Sequence, residues 1–236
     1  MKIRTRNIIV AWVLGIMFSA SVVQAVLVSI DGVSGSYRKN SSTFGWFDQR
    51  YMTGERNTYI HRSYFVFDLS GLSGDVQSAK LLLTCPPEGY DGDEFEIFAT
   101  YDVSTDLSLL MSGGAGQSGW EDLGSGTTYG SVAMSENDEN TLVEIALNMA
   151  AVSDIQSSLG NLFAIGGSLE TIDNPNKSLE RVFANTAIGD DPGGSLIRRL
   201  VLDINMPPRP VPDGASTVMI MGLAIGSLAV LRRRLG

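Results

Sequence analysis

Residues 59–69 put large side chains on both faces of one extended stretch. Tyr59, His61, Ser63, Phe65 and Phe67 alternate with Ile60, Arg62, Tyr64 and Val66, and a period of two is the mark of β-structure. A strand with aromatic groups on both sides must be covered on both sides, so it reads as a central strand of a packed sheet. Residues 71–74, Gly-Leu-Ser-Gly, turn the chain into a second strand over 76–84, giving a central hairpin in which Ala79, Leu81 and Leu83 share one face. Pro86 and Pro87 end it, because proline cannot donate to a central ladder.

Shorter segments repeat the pattern. Phe95, Ile97, Ala99 and Tyr101 alternate with Glu94, Glu96 and Thr100, which predicts one apolar and one largely wet face. Residues 26–30, 142–147, 162–165, 181–184 and 196–204 read as further strands. The Gly/Ser/Asn-rich segment up to Thr43 reads as loop and edge, and 120–131 as a Gly-rich loop and hairpin. Helical spacing appears twice: Leu107, Leu110 and Met111 before Gly113-Gly114, and Val152, Ile155 and Leu159 before a C-capping Gly160. About eight to ten short strands separated by turns predict an all-β fold, a sandwich of jelly-roll type with one or two short helices.

Both ends depart from this pattern. Residues 1–25 carry Lys2, Arg4 and Arg6, an apolar stretch over 8–18 and the small-residue end Val23-Gln24-Ala25, the layout of a signal peptide cut between Ala25 and Val26 by signal peptidase. The alternative is an uncleaved N-terminal membrane helix. At the other end, residues 205–210 hold three prolines and read as a stiff spacer after a domain over 26–204. Val211, Pro212, Asp213, Gly214, Ala215, Ser216 and Thr217 form a slim segment that Pro212 keeps extended. An apolar run over 218–231 follows, whose 14 residues would span roughly 21 Å as helix, against about 30 Å of hydrocarbon. Arg232, Arg233 and Arg234 close the tail and favour a cytoplasmic C-terminus. Two readings of residues 211–236 stand: a signal read by a membrane protease, or a tail anchor that is never cut.

Residues 211–217, the apolar run and the arginine cluster resemble the PEP-CTERM class of sorting signals, in its VPDSG variant. Asp213-Gly214-Ala215-Ser216 stands where the variant has Asp-Ser-Gly. The resemblance implies an exosortase as processing enzyme, transient anchoring in the inner membrane of a Gram-negative bacterium, and a destination at the cell surface or in an exopolysaccharide matrix. A second resemblance lies in 62–72 and 76–83, which are similar to the central hairpin of DNRLRE-type β-sandwich domains. It implies the sandwich fold and a carbohydrate-binding relative, and assigns no ligand residue.

Charge narrows the classes further. Of 17 Lys and Arg, six lie in residues 1–25 and 218–236, which leaves 11 against 26 Asp and Glu, a net −15 for residues 26–217. Such a surface repels nucleic acid. Cys85, the one cysteine, excludes an intrachain disulfide and reads as a small buried hydrophobe at the end of a strand. His61, the one histidine, sits mid-strand with no nucleophile motif in the chain, and no catalytic residue is assigned. No organic cofactor is expected. Asp91, Asp93 and Glu94 on a Gly-containing turn offer hard oxygen ligands for a structural Ca²⁺. Trp46, Tyr51, Tyr90 and Trp120, with Tyr37, are the candidate sugar-stacking aromatics, and plugging the ends of the sandwich is the competing reading for the two tryptophans. The sequence thus predicts an exported, non-catalytic structural or binding sandwich; a membrane-tethered carbohydrate-binding module and a polysaccharide-degrading enzyme using paired carboxylates are the alternatives.

Overall fold

A computed structural model describes residues 24–92, 95–172, 179–186 and 196–206. Residues 1–23 of the expected signal segment 1–25, the tail from residue 207 onward, and Asp93 and Glu94 lie outside the described residues. Contacts gather Gln24–Pro207 into one compact unit.

Twelve strands are described: β1 (Gln24–Asp31), β2 (Val33–Lys39), β3 (Phe44–Asp48), β4 (Thr53–Arg56), β5 (Tyr59–Asp68), β6 (Asp75–Cys85), β7 (Glu96–Tyr101), β8 (Thr128–Met134), β9 (Thr141–Leu147), β10 (Leu162–Leu169), β11 (Arg181–Val182) and β12 (Arg198–Met206). With them come α1 (Leu107–Ser112), α2 (Gly116–Asp122) and α3 (Met149–Ser157). The strands form two antiparallel sheets. The smaller has the order β1-β12-β6-β9, and the larger runs β11-β4-β5-β10-β7-β8, with β2 also pairing β5 and carrying β3 at its edge. The chain is therefore mostly β, as its alternating pattern predicts.

Several expectations are corrected. Residues 59–69 and 76–84 are no hairpin: β5 pairs with β2, β4 and β10, and β6 pairs with β9 and β12 in the opposite sheet. The turn between them crosses the sandwich, and alternation alone cannot distinguish a partner from a facing strand. The polar segment before Thr43 holds β2, whose Ser34, Gly35, Ser36 and Tyr37 are all buried between neighbours. Glu96 is buried while Phe95 stands 53% exposed, the reverse of the expectation for these two; Ala99 and Tyr101 are buried as expected, and Thr100 is buried with them. Thr171 Oγ1 donates to the Glu96 carboxylate and so satisfies it inside. Asn205, expected in the spacer, is still paired in β12 opposite Ala25. The bond between Ala25 and Val26 lies inside β1, where Ala25 is exposed and Val26 half-buried.

The main core lies between the sheets. Phe65, Phe67 and Leu69 meet Leu81, Leu83, Ile145, Leu200, Leu202 and Ile204, with Phe98 and Ile165 beside them. Cys85 belongs to this core, and burial pushes its thiol up to about 12. α3 closes one end. Asn148 caps it by accepting from the amides of Ala150 and Ala151, and Gln156 ties it to the crossing turn, accepting from Val76 N at 2.7 Å and donating to Gly74 O at 3.0 Å.

A second, smaller core covers the other face of the larger sheet. Tyr37, Tyr64, Val66 and Ala164 on the strands pack against Leu110, Ala115, Trp120 and Leu123. α1 begins where the Asp106 carboxylate accepts from the Ser108 and Leu109 amides, and ends at Gly113 with φ 80°. α2 takes in residues 120–122, the start of the loop and hairpin expected at 120–131. Its Gly-Gln-Ser-Gly start has poor helix propensity, so contacts made by Trp120 and Leu123 hold it. Gly166 allows that approach, since a Cβ there would stand 2.9 Å from the Leu123 backbone.

Candidate ligand-binding groove

The helices cover only part of the outer face of the larger sheet. Beside them runs an open groove of about 860 Å³, lined by Lys39, Asn40, Ser41, Glu55, Thr58, Ile60, Trp120 and Ile172. Its size lies within the range of small-molecule and short-oligomer sites.

Each wall has a local cause. β4 and β5 are joined by Asn57-Thr58, both with positive φ (56° and 81°), the geometry of a two-residue primed turn. A β-branched residue rarely adopts it, and here it sets Thr58 at the rim. Opposite, Asn40 Oδ1 accepts from the amides of Ser42 and Thr43 at 3.0 and 2.8 Å and fixes the β2–β3 loop beside Ser41. Trp120 is held from three directions. Its Nε1 donates to Ile60 O at 3.0 Å, the Arg62 guanidinium lies 3.9 Å from its ring centroid, and Lys39 Nζ lies 4.8 Å away. Arg62 also donates to the carbonyls of Trp120 and Glu121, both at 3.0 Å. Lys39 reaches Glu121 at 3.8 Å.

Glu55 lines the groove, and behind it stands a second buried carboxylate, Glu180, a neighbour that no sequence motif singles out. Glu55 is 5% exposed and Glu180 4%. The two strands are locked together, with Glu55 N donating to Glu180 O at 2.6 Å. Among the described residues the Oε2 atoms of both side chains are buried without a hydrogen-bond partner. Burial first, and the neighbouring Glu180 charge second, raise the Glu55 carboxyl above the ordinary range. No motif announces such a pair, because the residues stand 125 positions apart and meet only through the pairing of β4 with β11.

The predicted aromatics scatter. Of Trp46, Tyr51, Tyr90 and Trp120, Trp120 lines the groove. Tyr51 is fully buried and its hydroxyl donates to Thr84 O at 2.8 Å, so it belongs to the core and cannot stack on a sugar; Tyr37, 1% exposed, is equally enclosed. Trp46 is half-buried against the helical layer and donates from Nε1 to Tyr64 Oη at 3.2 Å. Tyr90 is half-buried against the main core, with its hydroxyl enclosed. Of the expected calcium residues, Asp91 is described, and Asp93 and Glu94 lie outside the described residues. Asp91 exchanges backbone hydrogen bonds with Arg181, at 2.9 and 2.7 Å, and pairs with its guanidinium at 3.2 Å. Among the described residues no group of three or more His, Cys, Asp or Glu is placed to hold a metal ion.

His61 is 3% exposed, stacked on Phe47 at 5.9 Å, and its Nδ1 has no partner among the described residues. Burial, with Arg50, Arg38, Arg56 and Arg181 around it, lowers its pKa to about 3. An imidazole held neutral and enclosed in this way has no geometry for proton transfer to a bound molecule.

The sorting residues 211–217 and 232–234 and the apolar run lie outside the described residues. Among the described residues no helix is long and apolar enough to cross a membrane. Compared with known proteins, the chain matches no family model, and none of the curated proteins is significantly similar to it.

Proposed function

We propose that the chain is an exported β-sandwich protein, processed by an exosortase, that serves at the cell surface or in the extracellular matrix as a non-catalytic glycan-binding module of jelly-roll type. The groove on the outer face of the larger sheet carries the binding part of this reading. It is mixed in composition as a sugar site is: Ile60, Ile172 and Trp120 are its apolar lining, while Lys39, Asn40, Ser41, Glu55 and Thr58 offer polar groups. Export and sorting rest on the two terminal segments of the sequence. Before processing, the membrane holds the tail; afterwards the exopolysaccharide is the partner.

Two measurements test the two halves separately. Intact mass and C-terminal peptide mapping of protein from envelope and medium should give a C-terminus within residues 211–217; a chain still ending Arg-Arg-Arg-Leu-Gly leaves a membrane-tethered binding module. Retention on immobilised polysaccharides should fall at least tenfold in Ser41→Trp, which fills the groove from an exposed loop position. Unchanged retention removes the groove from the binding reading. Release of reducing ends by the unaltered protein would instead establish the degradative alternative.

A further inference from the structure

Two carboxylates buried side by side without a counter-charge are costly, because each loses water and repels the other. Glu55 and Glu180 are both buried, each with an Oε2 that has no hydrogen-bond partner among the described residues, and Glu55 lines the groove. Among the described residues, three cations of this region are committed elsewhere. Lys39 is shared between Glu121 and the rings of Trp120 and Phe44, Arg62 between Trp120 and two carbonyls, and Arg181 is paired with Asp91. Glu55 lines the groove, so its carboxylate can be reached from solvent through it, with Glu180 behind.

We propose that Glu55 and Glu180 form a cation subsite whose ligand is the primary ammonium of an amine-bearing sugar unit, such as a de-N-acetylated amino sugar in a matrix glycan. This rests on the reading of the groove as a glycan site. An ammonium has three donors, and two carboxylates present enough lone pairs for them. Ile60 and Ile172 then border the sugar ring, and Thr58 and Ser41 lie within the same groove for its hydroxyls. A divalent metal fits less well. Calcium takes six to eight oxygens, and no third carboxylate or histidine joins the pair among the described residues. Uronic-acid glycans are disfavoured outright, since their carboxylates would face two more.

Calorimetric titration of the purified full-length chain tests the assignment with three probes: a glucosamine oligomer, the same oligomer fully N-acetylated, and calcium chloride alone. The amine oligomer should bind at least tenfold more tightly than its acetylated form, and Glu55→Gln and Glu180→Gln should each remove that preference. Both variants should keep or raise the melting temperature without ligand, because they relieve repulsion, so a loss of binding will not be a loss of fold. Equal affinity for the two oligomers overturns the subsite and leaves the glycan groove standing. Calcium binding that either substitution abolishes, with no amine preference, overturns it in favour of a metal site. Absence of binding to any glycan, including the native polysaccharide, overturns both the subsite and the groove reading.

Discussion

β5 has two faces, and they are put to different uses. Towards the smaller sheet it shows Phe65 and Phe67, enclosed on all sides by the main core. Towards the helices it shows Ile60, Arg62, Tyr64 and Val66, of which Tyr64 and Val66 are covered while Ile60 opens on the groove. The inner layer closes because sheet meets sheet along the length of the strand. On the outer side a cover made of two short helices is too small to extend over the whole sheet, and its edge, marked by Trp120, becomes a wall. A partial second layer is thus what turns a structural sheet into one with a recess.

Breaking the inner layer should have the largest effect. Phe65→Ala removes a fully buried ring and should cost ~3–5 kcal/mol in urea unfolding. A loss under about 1 kcal/mol would show that the inner face is not the main source of stability. The outer layer is probed at Gly166. Gly166→Ala places a methyl against the Leu123 backbone and should cost about 1–3 kcal/mol, while weakening glycan retention because Trp120 moves with its helix. Wild-type retention in that variant would separate the groove from the helical cover.

The titrating residues at the same end of the sheet sharpen the comparison, because they give pH effects of opposite sign. His61, on the inner side, has its folded pKa lowered to about 3, against about 6.5 in the unfolded chain. The unfolded state binds the proton first, so stability should fall as pH drops from about 6.5 towards 3, at up to roughly 1.4 kcal/mol per pH unit. Replacement by Phe should flatten that limb of a stability-versus-pH curve; an unaltered limb would show that other groups set the acid sensitivity. Glu55, on the outer side, has its folded pKa raised. Here the folded state binds the proton first, so stability should fall as pH rises from about 4.3, the ordinary glutamate value, to the raised folded value. This slope is the smallest of the four effects, below the one-proton limit of about 1.4 kcal/mol per pH unit, and should vanish in Glu55→Gln.

Legibility in the sequence followed the physics of each signal. α1 and α3 were readable because apolar spacing and the C-capping Gly113 act over a few residues, although α3 is capped at Ser158 and not at the expected Gly160. α2 was not, since Gly116 and Gly119 argue against helix and only contacts with the sheet hold it. β2 was missed for a related reason: Val-Ser-Gly-Ser-Tyr-Arg-Lys has little apolar content, and its small residues are buried because β3 and β5 flank them. Trp120 was readable as a candidate by its type. Its partners at the groove, Glu55 and Thr58, were not, for a glutamate or threonine in a β-pattern is ordinarily a solvated position.

Taken alone, the chain determines that it is a β protein, where most of its strands run, and that its two ends differ from its middle. Those properties depend on alternation, turn residues and apolar length, all of them local. Tertiary structure alone decided that β5 and β6 lie in opposite sheets, that Tyr51 is core and Trp120 a wall, and that Glu55 meets Glu180. Pairing and facing are long-range relations between strands, and a period of two carries the same pattern whichever partner a strand takes.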